Sequence, residues 1–374
     1  MNTFAELAHQ IAAIITTLIL LIASFLVHAI TPLIQNSQTT APYTVIAPFH
    51  PKDTEPVEQE NSPSEKIPNE SASTTSSTHK QTPPQSTVEE LKTVAITNIR
   101  TAATKAAVNI VCITQTATST RTISGSGMIV NPQGVIVTNA HVAAYILLAE
   151  YGSYQGDTSC RIRTESPSHD TYIARPIYVS PTWLRDNPFT AFEENPSSTG
   201  EHDIAFLLIT GTVDGLPLPL QFPFIPFDAS ETLPTEGNTV LIAAYPGELF
   251  ANLLPNNGLW LLTPTSTIIN LYTFKNPKTI DLISLKGSIA SQHGSSGGGV
   301  IDTATKKILG IVVTTGEGTT VDVRPLNAIT VGHIDDTVRM DTGMSLSAFL
   351  ADPHARLTSF SVDTNYQFLN THPR

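Results

Sequence analysis

The sequence predicts an all-β domain that is preceded by a transmembrane helix and a disordered stalk. Three observations support this prediction. From Ala106 onward, short runs rich in β-branched and apolar residues alternate with turn residues. Residues 11–30 form an uncharged apolar run, and residues 35–87 are rich in Ser, Thr, Pro and Glu with few large apolar side chains.

The β-rich runs form two groups of about six strands each, separated by the Pro-rich segment Leu216–Pro226. The first group comprises Ala107–Ile113, Gly127–Val130, Val135–Thr138, Cys160–Arg163, Ile173–Val179 and Ile204–Ile209. The second group comprises Thr239–Ala244, Leu259–Ile269, Thr279–Ser284, Gly299–Asp302, Ile308–Thr315 and Thr320–Pro325. This pattern favours an all-β fold, although it does not by itself define a barrel topology.

The apolar run at residues 11–30 would span roughly 30 Å as a helix, which matches the hydrocarbon core of a bilayer. A secretory signal usually has a shorter apolar core after a basic stretch, whereas the residues before this run include Glu6 and no Lys or Arg. We therefore expect residues 1–34 to form a membrane anchor. A signal peptide cleaved near Val27-His28-Ala29 and a buried core helix are the alternatives.

The stretch at residues 35–87 is predicted to be a flexible stalk, because it cannot bury enough apolar surface to offset its chain entropy. A short amphipathic helix should follow, since apolar residues recur at helical spacing between Val88 and Ala102. The formal net charge of -12 argues against binding to nucleic acid through a basic surface.

Three short motifs carry residue types that serve nucleophilic catalysis. They are Thr138-Asn139-Ala140-His141-Val142, His202-Asp203-Ile204-Ala205, and Gly294-Ser295-Ser296-Gly297-Gly298-Gly299. Taken alone, each motif has a structural explanation: the first could carry a structural histidine, the second could be a capped turn, and the third could be a plain glycine turn. Their order of His, Asp and Ser, with the first two in the first strand group and Ser in the second, predicts that the three residues act together.

On these motifs the sequence resembles the trypsin-like (chymotrypsin-fold) serine peptidases, nearest to the bacterial HtrA/Deg type but without a PDZ domain. The resemblance covers roughly residues 106–330. It implies two six-stranded antiparallel barrels, at about 106–215 and 235–330, within a protease domain at 88–345. Residues 346–374 would form a C-terminal tail.

The resemblance also implies a role for each motif residue. His141 would be the general base, because imidazole titrates near neutral pH. Asp203 would fix the tautomer of His141 and stabilise the imidazolium, and Ser296 would be the nucleophile. The backbone N–H groups of Gly294 and Ser296 would form the oxyanion hole. His202, next to Asp203 on a strand, should point away from this site.

One departure from the digestive and clotting relatives concerns activation, and the resembled fold also implies where the specificity pocket lies. Ser295 stands where those relatives carry an Asp that pairs with a freed N-terminus, so no zymogen switch is expected. The base of the specificity pocket should be Ala290, and no carboxylate lies nearby between Ser288 and His293. His293 should line the cleft, and the wall strand at Val313, Thr314 and Thr315 should pair with the substrate backbone.

Cysteine and histidine spacing bears on metals and disulfides. Cys112 and Cys160 stand neither in a C-x-x-C pair nor near metal-spaced histidines, so no zinc site is expected. The interpretation as a whole implies no metal and no organic cofactor. From the count alone, a disulfide and two buried thiols are equally compatible. In the resembled barrel the first and fourth strands are neighbours, which implies a Cys112–Cys160 disulfide.

The combined prediction is a serine endopeptidase that hydrolyses peptide bonds through an acyl-enzyme at the extracytoplasmic membrane surface, in a bacterial cell envelope. Its partners would be a protein or peptide substrate and the lipid bilayer, contacted through residues 11–30. Cleavage of the N-terminal segment would make it a secreted protein. The alternative function is a catalytically silent chymotrypsin-fold module that binds peptides.

Overall fold

The structure is a computed structural model of the full chain. It describes residues 85–115, 120–151, 157–188, 199–228, 233–247, 258–274, 276 and 278–361. The predicted anchor, residues 35–84 of the predicted stalk and the end of the predicted tail lie outside these residues. The last three residues of the predicted stalk, 85–87, belong to a helix that begins at Gln85. In the part of the chain that is described, no helix is long and apolar enough to cross a bilayer.

The first six strands close into an antiparallel barrel, barrel 1, with the strand order β1-β2-β3-β6-β5-β4. These strands are β1 (Ala107–Gln115), β2 (Thr120–Ile129), β3 (Val135–Thr138), β4 (Thr158–Thr164), β5 (His169–Val179) and β6 (Ala205–Thr212). Each predicted strand of the first group overlaps one of them, and β3 has the predicted bounds.

The next six strands close into barrel 2, whose cyclic order β7-β8-β9-β12-β11-β10 repeats the topology of barrel 1. They are β7 (Thr239–Ala243), β8 (Thr265–Tyr272), β9 (Leu282–Leu285), β10 (Gly299–Asp302), β11 (Ile308–Thr315) and β12 (Leu326–Thr330). The predicted chymotrypsin-like pair of six-stranded barrels is therefore confirmed.

The predicted strand at Thr320–Pro325 is wrong, because the last strand begins only at Leu326. The N–H groups of Val323 and Arg324 both donate to the carbonyl of Thr320, which makes this stretch a turn. Pro325 has no N–H to donate to a ladder and stands just before the strand, a position that proline tolerates.

Alternating side chains of the strands divide the apolar residues into three buried clusters. One fills barrel 1 and includes Leu207, and another fills barrel 2 and includes Ile242. A third cluster lies between the barrels. It contains Phe206, which adjoins Leu207 on β6, and Leu241, which adjoins Ile242 on β7. This third cluster packs the two barrels against each other.

Six helices accompany the barrels in the described residues: α1 (Gln85–Ala106), α2 (Ala140–Tyr151), α3 (Pro181–Asp186), α4 (Val331–Thr342), α5 (Leu346–Leu350) and α6 (Pro353–Ser359). The fold is thus mostly rather than entirely β. Leu346 and Phe349 of α5 are buried in the cluster between the barrels, so the first residues of the predicted tail are part of the packed domain.

Cys112 on β1 and Cys160 on β4 are direct partners in the antiparallel register. They form a disulfide, with their Cα atoms 4.1 Å apart. The bond joins the two strands whose pairing helps to close barrel 1, as the resemblance implied.

Candidate active site

His141 and Asp203 are brought together at one end of barrel 1. His141 lies in the first turn of α2, directly after β3, and Asp203 lies just before β6. The Nδ1 atom of His141 is 2.7 Å from Oδ2 of Asp203. The backbone N–H of His141 donates to Oδ1 of the same carboxylate at 3.0 Å. The side chain of Asp203 is 1% exposed and that of His141 is 24% exposed. A buried carboxylate therefore holds an imidazole that opens to solvent.

The backbone of Asp203 is held by its neighbours. The side-chain amide of Asn139 donates to the carbonyl of Asp203 at 2.9 Å, and the N–H of Asp203 donates to the carbonyl of Gly200 at 3.2 Å. His202 has a positive φ of 60°, and its Nδ1 faces the hydroxyl of Thr337 on α4 at 3.0 Å. Its ring therefore turns away from His141, as predicted, although for a different reason: His202 lies in a turn before β6, which begins at Ala205, and not on a strand.

Ser296 stands in a tight glycine turn that packs against both barrels. Gly294 has a φ of 94° and Gly297 one of 84°, which few residues other than glycine adopt. A Cβ at Gly297 would lie 2.1 Å from the carbonyl oxygen of Ser126 and 2.4 Å from Oγ1 of Thr138. The turn therefore sits directly against the strand that leads into His141, and Ser296 is half-buried there.

One peptide unit in this turn has a fixed orientation. The carbonyl of His293 accepts a hydrogen bond from the N–H of Gly247 at 2.8 Å. Because a trans peptide is planar, the N–H of Gly294 must point in the opposite direction. The hydrogen bond to Gly247 thus fixes the direction in which this N–H points.

Ser295 is fully buried, and its hydroxyl donates to the carbonyl of Ala290 at 2.6 Å. The same loop contains a backbone hydrogen bond from Ser295 N to the carbonyl of Gln292 at 3.3 Å. Both bonds join Ser295 to residues of its own loop, Ala290 and Gln292. Ser295 therefore stabilises the loop before Ser296 through local contacts.

Ser126 is a buried residue of the site that sequence reasoning missed. Its N–H donates to the carbonyl of Ser296 at 2.7 Å, and its hydroxyl donates to the carbonyl of Gly294 at 2.7 Å. The same hydroxyl accepts the N–H of Tyr245 at 2.9 Å. A barrel 1 side chain therefore joins the segment that follows β7 to the Ser296 turn. A serine between two glycines, Gly125 and Gly127, was the only signal in the sequence.

The residues predicted to bind substrate differ in their exposure. Ala290 is fully buried within the barrel 2 cluster, whereas His293 is exposed beside the turn. Val313 is 4% exposed, and its Cγ2 lies 2.8 Å from where a Cβ on Gly200 would stand. Its side chain thus packs beneath the Asp203 turn. Thr314 and Thr315, at the end of β11, are half-buried.

Among the residues that the structure describes, no group of three or more His, Cys, Asp or Glu side chains is placed to hold a metal ion.

The family model for the trypsin-like peptidase domain matches residues 125–311, which is half of the chain. The chain belongs to this family. The matched residues of the trypsin-like domain run from β2 to β11 and include His141, Asp203 and Ser296. Because the family consists of proteases, the two barrels with this motif set support a serine protease.

Among solved structures, the chain is similar to the active form of the Rv3671c protease from M. tuberculosis, with 16% sequence identity and a TM-score of 0.39. The match covers 74% of this chain and 91% of the Rv3671c chain. The chain is also similar to Deg5, with 18% identity and a TM-score of 0.40 over 66% of this chain and 91% of that one. A comparison with curated protein sequences found no match.

Proposed function

We propose that this protein is a serine endopeptidase in which Ser296 is the nucleophile, His141 the general base and Asp203 the group that orients the base. The hydrogen bond of 2.7 Å between His141 Nδ1 and Asp203 Oδ2 carries the proposal. An ionised carboxylate at Nδ1 requires the hydrogen on that nitrogen, which leaves Nε2 with a lone pair to accept a proton.

The proposed reaction begins when Ser296 Oγ attacks the carbonyl carbon of the scissile peptide and its proton passes to His141 Nε2. The carbonyl oxygen becomes an oxyanion, and the N–H groups of Gly294 and Ser296 stabilise it. Collapse of this intermediate breaks the C–N bond, and His141 gives its proton to the leaving amine. Water then attacks the acyl-enzyme by the same route, which releases the acid and restores Ser296.

The surroundings of Asp203 support its role as a fixed negative charge. Its side chain is nearly inaccessible, and both carboxylate oxygens face N–H groups of His141. In such a site the charge acts at low effective dielectric constant, so the imidazolium formed during attack is stabilised more strongly than in water.

The proposed substrate is a protein or peptide with a small or aliphatic side chain before the scissile bond. Ala290 supplies no charge to receive Lys or Arg, and it belongs to the same buried apolar cluster of barrel 2 as Leu285 and Leu326. The substrate backbone would add as a strand beside Val313–Thr315, where β11 reaches the cleft.

The proposed location is the outer face of a cell membrane, with residues 11–30 as the anchor. A stalk of about 50 residues would have a root-mean-square span of roughly 40 Å. Fractionation of cells after high-salt washing, with a variant lacking residues 1–34 as the control, tests this location. Release of the full-length chain into the soluble fraction would contradict the anchor.

A peptide-library cleavage profile tests the activity and the substrate class. The expected result is cleavage after small or aliphatic residues by the wild-type protein and none by Ser296→Ala. Cleavage that persists in Ser296→Ala at the wild-type rate would overturn the mechanism. Binding of peptides without cleavage by the wild-type protein would instead support the catalytically silent module.

A further inference from the structure

A second Asp–His pair lies on the far side of the Asp203 turn. His333 is on α4, and its Nδ1 is 3.6 Å from Oδ1 of Asp281, which stands just before β9. Both side chains are more than nine-tenths buried, at 8% and 6% exposure. Neither residue belongs to the motifs that predicted the active site.

The partners of Asp281 and His333 assign the tautomer of the imidazole. Burial alone would raise the pKa of Asp281, but hydrogen bonds from His333 and from the backbone N–H of Phe274 lower it below its usual value. The backbone N–H of His202 is directed at Nε2 of His333, so Nε2 is the acceptor and Nδ1 carries the hydrogen that faces the carboxylate of Asp281. The Nε2 atom of His333 keeps its lone pair.

That lone pair accepts the backbone N–H of His202, the residue directly before Asp203, at 3.3 Å. His202 is also held by ring stacking on His333, with ring centroids 5.4 Å apart, and by the hydroxyl of Thr337. Its positive φ of 60° is a conformation that a non-glycine residue keeps only when its surroundings enforce it. The contacts from α4 supply that enforcement.

We propose that Asp281 and His333 are positioning residues, which hold the backbone of His202 and thereby keep the carboxylate of Asp203 against His141. This inference rests on the proposed function of Asp203. The line of contacts runs from Asp281 to His333, to the N–H of His202 and, through one peptide bond, to Asp203. The helix that follows barrel 2 thus stabilises the acidic residue of barrel 1.

The helix α4 offers a matched control on the same face. His333, Thr337 and Asp341 lie at i, i+4 and i+8, so all three face barrel 1. Asp341 accepts hydrogen bonds from the hydroxyls of Tyr178, Ser180 and Thr182. It docks the same helix about 12 Å from His333. Asp341 reaches the Asp203 turn indirectly, through Ser180, whose backbone N–H donates to the carbonyl of Ile204 at 3.1 Å. Because that bond is made by the backbone of Ser180 and not by its hydroxyl, we expect Asp341→Asn to loosen the helix while the bond to Ile204 persists.

The test compares steady-state kinetics of four variants on a peptide that the wild-type protein cleaves. His333→Phe keeps a ring but removes the acceptor, so we expect kcat to fall about ten-fold, as a buried unpaired N–H would cause, with KM within about two-fold. His333→Gln places an oxygen near the Nε2 position and should restore most of kcat. His333→Asn is too short to reach the N–H of His202 and should stay low. Asp341→Asn should keep the wild-type kcat.

Thermal unfolding of each variant separates positioning from folding, and the Asn and Gln variants remain a matched pair if His333→Phe does not fold. Equal kcat for wild type, His333→Phe and His333→Asn would overturn the proposal. An equal loss in Asp341→Asn would also overturn it, because the effect would then come from helix docking. A wild-type protein whose Ser296 reacts with no fluorophosphonate probe would instead refute the proposed function, and the positioning role with it.

Discussion

Barrel 1 holds its part of the proposed site through side chains, whereas barrel 2 holds its part through the backbone. His141 is fixed by two hydrogen bonds to the buried carboxylate of Asp203. The Ser296 turn is fixed by positive φ angles at Gly294 and Gly297 and by backbone hydrogen bonds. Activity should therefore be lost for different reasons in the two parts. In barrel 1 it should be lost when a charge is removed, and in barrel 2 when a side chain adds volume to the turn.

Each part is also braced by a residue from the other. Ser126 of β2 binds the carbonyls of Gly294 and Ser296. Likewise, His333 of α4, the helix after β12, accepts a hydrogen bond from the backbone N–H of His202, the residue before Asp203. The two parts therefore differ in their primary support, and each also depends on one residue of the other.

The largest effect is expected from Asp203→Asn, which removes the charge but keeps the shape. An asparagine amide can donate to Nδ1 and stabilise the wrong tautomer of His141, so kcat should fall about 10⁴-fold with little change in KM. Steady-state kinetics measure this. Asp170→Asn, which removes a surface carboxylate paired with Arg163, is the control and should leave kcat unchanged. A loss below about ten-fold in Asp203→Asn would contradict the side-chain account of barrel 1.

The next effect is expected from Gly294→Ala, which adds volume without changing charge. The new Cβ would lie 2.8 Å from the carbonyl oxygen of Tyr245 and 2.9 Å from the N–H nitrogen of Gly247, and φ is 94°. The peptide must shift and misdirect its N–H, so kcat should fall about 10²–10³-fold. Gly211→Ala, with no atom within 4 Å of its Cβ, should retain full activity. Full activity in Gly294→Ala would refute the backbone account of barrel 2.

A smaller effect is expected from Ser126→Ala, which leaves the Gly294 carbonyl and the Tyr245 N–H without their shared hydroxyl. Unpaired buried polar groups of this kind should lower kcat about ten-fold. Ser124 lies on the same strand, and its hydroxyl accepts from the side-chain amide of Asn109 instead. Ser124→Ala should therefore keep the wild-type kcat, and equal losses in the two variants would show that Ser126 acts only through the stability of β2.

The smallest effect on activity is expected from removing the disulfide in Cys112→Ser/Cys160→Ser. A covalent link between residues 48 positions apart stabilises the fold by about 4 kcal/mol in the chain-entropy account. Chemical denaturation should show a loss of that order, while kcat at low temperature stays within about two-fold. Thr114→Val breaks the neighbouring cross-strand pair of hydroxyls and should cost far less stability. A large loss of kcat in the double variant would mean that the disulfide positions the site.

The parts of the fold that local patterns determine were predictable. The strands β3, β10 and β11 have their predicted bounds, because uninterrupted apolar runs end there at turn residues. The helix α2 was not predicted, since its sequence AHVAAYILLAEY is apolar on nearly every side and shows no helical periodicity. The strand β12 was misplaced because Thr320–Val323 resemble a strand locally but form a turn.

The residues that carry the proposed chemistry were visible in motifs, but their supports were not. His141, Asp203 and Ser296 each stand in a recognisable run. His333 lies 131 positions from the N–H that it binds, and Ser126 lies 168 positions from Gly294. Contacts over such separations depend on how the two barrels pack, which a single sequence does not encode in any local pattern.

The most direct test of the central claim is reaction of the folded protein with a fluorophosphonate probe, followed by mass mapping of the modified residue. Attack by an activated hydroxyl on phosphorus displaces fluoride and leaves a stable adduct. The account predicts one adduct, on Ser296, formed rapidly by the wild-type protein and at least about 10³-fold more slowly by His141→Ala. No adduct on Ser296, or equal rates in the two proteins, would contradict it.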